Sequence, residues 1–224
     1  LLKAAPNGWV MEYYIGKDYS LGGITLLCRF DGQRVTMASQ MSEADETVSS
    51  LYSVKSEQAT MLSFDTYNYL VHYFGQPQGS MSDDPNGTLG GDYEFIISSA
   101  SAERIELKGK KYGNRIVMKA LTEDQTWKQY LTKIKKVEDD AFFYEYDLLM
   151  DGLYTGQMLR SNYTFIVTYY DEIGKVHQKT VPFMFTADGL RFHEPVTIDG
   201  QTMQNFVWKN ELISFVCTDE GRSE

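Results

Sequence analysis

SFDTYNYLVHYF at positions 63–74, GGDYEFII at 90–97 and RIELKGKKYGNRIVM at 104–118 are the stretches whose reading decides the fold. Apolar and polar residues alternate along them, aromatic side chains are dense, and Gly90-Gly91, Gly109 and Gly113-Asn114 mark tight turns. A period of two puts one face of an extended chain in a core and the other in water. Glycine or asparagine at the turns accepts the positive φ that hairpins need. The stretches therefore predict antiparallel sheet, and nothing in them describes a catalytic site.

The same grammar extends outward. Upstream, Pro6-Asn7-Gly8 leads into a strand at Trp9–Ile15, Gly22-Gly23 precedes Ile24–Phe30, and Asp31-Gly32 is a hairpin signal joining that run to Arg34–Ser39. Strands are predicted at 51–55, 61–64, 92–98, 104–108 and 115–120, whereas 67–74 fits either a strand or a short helix. Downstream they resume at 142–150, 163–170, 175–186, 190–198, 203–208 and 212–218, with Ile173-Gly174, Asp188-Gly189 and Asp199-Gly200 as turns. The one helix lies near 123–137. Thr122 and Gln125 are spaced as a capping box, and Trp127, Leu131, Ile134 and Val137 recur at helical spacing. Lys128, Lys133, Lys135 and Lys136 lie off that stripe, and the run Glu138-Asp139-Asp140 marks the end. The fold class is mainly β, an antiparallel barrel or sandwich with one amphipathic helix. The domain is single, or divides into β lobes at 1–120 and 141–224 on either side of the helix at 121–140. A tryptophan near the first strand, Trp9, is similar to the pattern of lipocalin-like barrels. A barrel of that kind makes a ligand cavity geometrically possible.

Composition bounds the function. The chain has 224 residues and a formal net charge of −10, with 16 Tyr and 12 Phe that favour strands. Phosphate backbones are held by clustered cations, so nucleic acid is not an expected partner, and anionic membrane surfaces are disfavoured for the same reason. No apolar run approaches the roughly 20 residues needed to span a bilayer. Cys28 and Cys217 sit in strand-like runs, where they fit two buried thiols, or a disulfide if their strands are neighbours in a closed sheet.

Three constellations are candidates for chemistry. Asp83, Asp84, Asn86 and Asp92 cluster oxygen donors around Gly87, as a Ca²⁺ loop would. An EF-hand register fails, however, because Ser82 and Tyr93 fall at its two anchor positions; the default is a solvated turn without cofactor. His72, His177 and His193 form no metal-binding spacing, and Glu12, Glu94, Glu145 and Asp147 are the strand-borne acids a glycoside hydrolase would draw on. Finally, Trp9, Tyr14, Tyr67, Tyr73, Tyr146 and Tyr170 are the aromatic residues best suited to stack on a ligand from a strand's outer face.

NGWVMEYY at 7–14, LSFDTYN at 62–68 with HYF at 72–74, GGDYEF at 90–95 and LKGKKYGN at 107–114 together resemble a family of Bacteroidetes lipoproteins known as domain of unknown function 4302. The resemblance implies a lipid-anchored protein of the cell envelope, held at the outer membrane on its periplasmic or outer side and accompanying nutrient-uptake proteins. It also implies that any contact with the membrane is through a lipid anchor, which this chain, starting at Leu1, does not carry. No catalytic residue comes with it. The expectation is a non-enzymatic protein that binds a glycan or peptide or docks onto an outer-membrane uptake complex. The alternatives are a structural accessory subunit and a polymer hydrolase with paired carboxylates.

Overall fold

The computed structural model describes residues 1–56, 59–77, 87–171 and 173–219. They form two compact units, Leu1–Tyr19 with Ile24–Thr132, and Ser20–Gly23 with Lys133–Glu224. In the first, β1 (Trp9–Tyr14), β2 (Gly23–Asp31), β3 (Arg34–Ser39), β4 (Val48–Ser56), β5 (Thr60–Phe64), β6 (Glu94–Ala100), β7 (Arg104–Gly109) and β8 (Arg115–Ala120) follow one another around a closed barrel. Closure is antiparallel, from Trp9 opposite Ala120 to Tyr13 opposite Ile116. Alternation explains the barrel residue by residue. On β7 and β8, Ile105, Leu107, Ile116 and Met118 are buried while Arg104, Lys108 and Arg115 are exposed.

Large side chains occupy the interior of the barrel. Trp9, Met11, Tyr13, Phe64 and Phe95 are all essentially inaccessible, and Phe95 meets Tyr13 and Phe64 edge to face with ring centroids 5.9 and 6.0 Å apart. Eight strands enclose a space that side chains of this size fill. The ambiguous segment 67–74 resolves as a four-residue helix, α1 (Tyr69–His72), and a 3-10 turn (Tyr73–Gly75). It packs Leu70, Val71 and Phe74 onto the barrel, with Phe74 edge to face on Tyr13 at 6.2 Å.

The second unit is an open seven-stranded sheet in the order β15-β14-β13-β12-β11-β10-β9. Its strands are β9 (Glu145–Met150), β10 (Leu153–Ser161), β11 (Thr164–Tyr170), β12 (Val176–Phe185), β13 (Gly189–Ile198), β14 (Gln201–Lys209) and β15 (Ser214–Cys217). One face buries a phenylalanine cluster in which Phe165 stacks on Phe183 at 4.4 Å. The acidic alternation of Glu145 and Asp147, unusual for a strand, has a location to explain it. β9 is an edge, and charged side chains there discourage pairing with another chain.

Two expectations need correction. β10 was absent from the predicted strands because Gly156 interrupts its pattern. The glycine is required, since a Cβ there would lie 2.2 Å from the Thr168 carbonyl oxygen, and it adjoins a register shift between Tyr154 and Gly156. The helix, α2 (Trp127–Asp140), starts one turn later than its predicted cap. Thr126 and Gln129 form the capping box instead: Gln129 N donates to Thr126 Oγ1 at 3.2 Å and Thr126 N to Gln129 Oε1 at 2.8 Å. Asn7 has already recruited the carbonyls of Thr122 and Gln125, at 2.7 and 2.8 Å. The run Glu138-Asp139-Asp140 does end the helix, as its last turn, against the macrodipole. Local partners offset this. Lys136 pairs with Asp140 at 2.7 Å, and Glu138 accepts from the Tyr163 hydroxyl at 2.8 Å and faces Arg160 at 3.6 Å. Both cysteines are free thiols in different sheets, Cys28 buried and Cys217 half-buried.

Candidate functional site

The site grows from the chain between β5 and β8. Asn68, completely buried, caps α1 by accepting from Leu70 N at 3.2 Å and donates to Ser50 Oγ at 3.2 Å. Anchoring α1 in this way fixes His72, whose ring stacks on Tyr93 with centroids 4.5 Å apart and planes 21° apart. Tyr67 tilts against the same imidazole at 5.5 Å. Tyr67 and Tyr93 are 63% and 41% exposed, so the stack of Tyr67, His72 and Tyr93 presents ring surface to solvent. Next to it Tyr69 and Tyr73, one helical turn apart, join Met41, Leu70 and Phe74 in lining an apolar cleft of about 240 Å³.

A hydrogen-bonded junction braces the shelf. Tyr13 Oη donates to the Asp92 carbonyl at 2.8 Å and accepts from its amide. The Asp92 carboxylate accepts from Lys111 N at 2.7 Å and Tyr112 N at 3.1 Å, closing the turn between β7 and β8. Asn114 donates to the Tyr14 carbonyl at 3.0 Å. Gly109 leaves room for the carboxylate, since a Cβ there would come within 2.0 Å of Asp92 Oδ2. Burial pushes the Asp92 carboxyl up, against the opposing pull of those backbone N–H groups, and burial raises the Tyr13 phenol as well.

Asp92, the calcium candidate that lies within the described residues, is therefore a turn-closing group whose oxygens already serve the backbone. Asp83, Asp84 and Asn86 lie outside the described residues. Among the described residues no cluster of three His, Cys, Asp or Glu side chains is placed to hold a metal ion. The aromatic candidates divide. Trp9 and Tyr14 are core residues: the Trp9 indole donates to the Leu2 carbonyl at 2.7 Å, and Tyr14 packs edge to face on Tyr19 at 6.2 Å. Tyr67 and Tyr73 belong to the shelf and its cleft. Tyr146 and Tyr170 lie in the other unit. Tyr146 is half-buried, its hydroxyl donating to the Ala141 carbonyl at 2.8 Å, and Tyr170 stands exposed on β11. Tyr69, Tyr93 and His72 were missed as site residues; the alternation that placed Tyr93 on a strand could not show which ring it stacks on.

Three of the acids and one histidine are held in local pairs. Glu12 faces Lys119 and Glu94 faces Lys110, each at 2.9 Å, and Glu145 accepts from Gln157. His177 meets Asp171 at 2.9 Å and holds that carboxyl below its usual range. His193 lies within β13.

One comparison bears on the whole assembly: residues 1–210 match the family described as Domain of unknown function (DUF4302). The chain belongs to this family. No curated protein and no solved structure matches it. The four motifs quoted from the sequence converge on the junction. Tyr13 and Tyr14 come from the first, Asn68, His72 and Phe74 from the second, Asp92 and Tyr93 from the third, and Gly109 and Asn114 from the fourth. Together they build the brace beneath the aromatic shelf.

Proposed function

We propose that the protein is a non-enzymatic binding protein of the cell envelope that takes a glycan or peptide on the barrel's aromatic shelf. The observation that carries this reading is the solvent-facing stack of Tyr67, His72 and Tyr93 beside the apolar cleft of Tyr69, Tyr73 and Met41. Stacked rings that keep a face in water are available to a sugar ring or an aromatic side chain, and a cleft of this size suits one apolar group. Rigidity supports it too: the junction around Asp92 and Tyr13 holds the shelf in place before any ligand arrives, which limits the entropy lost on binding. The local pairing of Glu12, Glu94, Glu145 and His177 supports a role in binding over hydrolysis. The envelope address and lipid anchor follow from the family resemblance, as does docking to outer-membrane uptake proteins.

The test is a thermal-shift screen against oligosaccharides and peptides, followed by titration of any hit into a Tyr67→Ala/Tyr93→Ala variant. A ligand at a hundredfold its Kd adds about 2.7 kcal/mol, a rise of several degrees. Losing the two rings should weaken binding by roughly tenfold or more. A blank screen with both ligand classes, or unchanged affinity in the variant, overturns the reading.

A further inference from the structure

The open sheet of the second unit carries a surface that the barrel's shelf does not explain. On the face of β9–β12 opposite the phenylalanine core, cross-strand register sets side chains in rows. One row is polar, with Asp147 opposite Gln157, Gln157 opposite Thr168 and Thr168 opposite Gln178. Gln178 Nε2 donates to Thr168 Oγ1 at 3.3 Å. Two residues further along β9, β11 and β12 the next row is apolar and aromatic: Leu149 opposite Tyr154, and Tyr170 opposite Val176. All four of these side chains are more than half exposed. The shift in register between Tyr154 and Gly156 is what turns Tyr154 onto this face, because without it the tyrosine would share the buried side with Gly156.

We infer that this face is a binding surface for a neutral oligosaccharide. A pyranose presents a flat C–H face and a rim of hydroxyls. Tyr154 and Tyr170 offer rings for the first, and the amides, hydroxyl and carboxylate one step away offer donors and acceptors for the second. Four strands at about 4.8 Å spacing make each row about 14 Å long, the reach of a short chain of sugars. Charge selects among sugars. The face carries Glu145 and Asp147 and, among the described residues of β9–β12 that point to it, no Lys or Arg; Lys179 alternates to the other side, where Nζ reaches the Thr197 carbonyl at 3.2 Å. Uronate or sulfated chains meet the Glu145 and Asp147 carboxylates here with no cation among the described residues of this face to offset them, whereas neutral hydroxyls donate to them.

The surface lies in the second unit and the aromatic shelf in the first, so variants of the sheet face test it by itself. The probes are hexasaccharides of glucose, mannose and xylose, with polygalacturonate as the anionic control, titrated calorimetrically into the full chain. The expected result is retention of at least one neutral hexasaccharide and no binding of polygalacturonate. Tyr154→Ala/Tyr170→Ala should weaken the neutral hit at least tenfold and Gln178→Ala severalfold, while Lys179→Ala, on the opposite side of β12, leaves the affinity unchanged. Because Gln178 is exposed and outside the core, it gives the same reading if the double variant folds poorly. Three results overturn the inference: no neutral hit, preference for the polyuronate, or sedimentation showing that Tyr154→Ala/Tyr170→Ala merely dissociates a dimer of this chain.

Discussion

Removing the Asp92 carboxylate tests whether the brace under the shelf works through hydrogen-bond acceptance or through charge. In Asp92→Ala, Lys111 N and Tyr112 N lose their acceptor, at 2.7 and 3.1 Å in the intact protein. Each backbone donor left without a partner costs about 1–1.5 kcal/mol, so the variant should lose about 2–3 kcal/mol. Asp92→Asn keeps one oxygen for Lys111 N and has no charge to desolvate, so its cost at neutral pH should stay below about 1 kcal/mol. The pH dependence follows from the same geometry. Burial raises the folded-state pKa above the unfolded value, so the folded protein binds this proton the more tightly. Stability from Asp92 is then greatest below the unfolded pKa, near 3.9, and declines as pH rises through the folded pKa. Asp92→Asn should remove that slope, so the variant gains on the wild type as pH rises from 4. The assay is urea unfolding of a Trp208→Phe background, in which fluorescence comes only from Trp9 and Trp127, both in the barrel unit. Asp92→Asn as damaging as Asp92→Ala would refute the reasoning, because the ion itself would then be needed. So would a calcium-dependent midpoint abolished by Asp92→Asn.

Arg160→Met tests the C-terminal end of α2, where the guanidinium donates to the Ala141 carbonyl at 3.0 Å and faces Glu138 at 3.6 Å. The loss should be about 2–3 kcal/mol by urea unfolding followed through Trp208, and Glu138→Gln in that background should recover part of it. Gly156→Ala places a Cβ 2.2 Å from the Thr168 carbonyl oxygen, so it should destabilise the sheet by about 1–3 kcal/mol, read as a lowered Tm.

What could be read from the sequence divides by range. Strand periodicity is local, so the hairpin from Arg104 to Ala120 sorted its side chains correctly from a few neighbouring residues. The rule that adjacent tyrosines face opposite sides held at Tyr169-Tyr170, where Tyr169 is half-buried on His177 and Tyr170 exposed. At Tyr13-Tyr14 the outward ring is buried as well, because Tyr19 packs against it, and no period announces a turn folding back. Calcium was suggested at Asp92 by the density of oxygens along the chain. The groups that claim its carboxylate are 19 and 20 residues away on another turn. The bond from Tyr13 to Asp92 spans 79 residues and that from Asn114 to Tyr14 spans 100. Both depend on pairing β1 with β8. Barrel closure is thus the step that converts four separate motifs into one brace. A substitution that loosens the β1–β8 seam should therefore disturb the Tyr67–His72–Tyr93 stack without touching any of its rings.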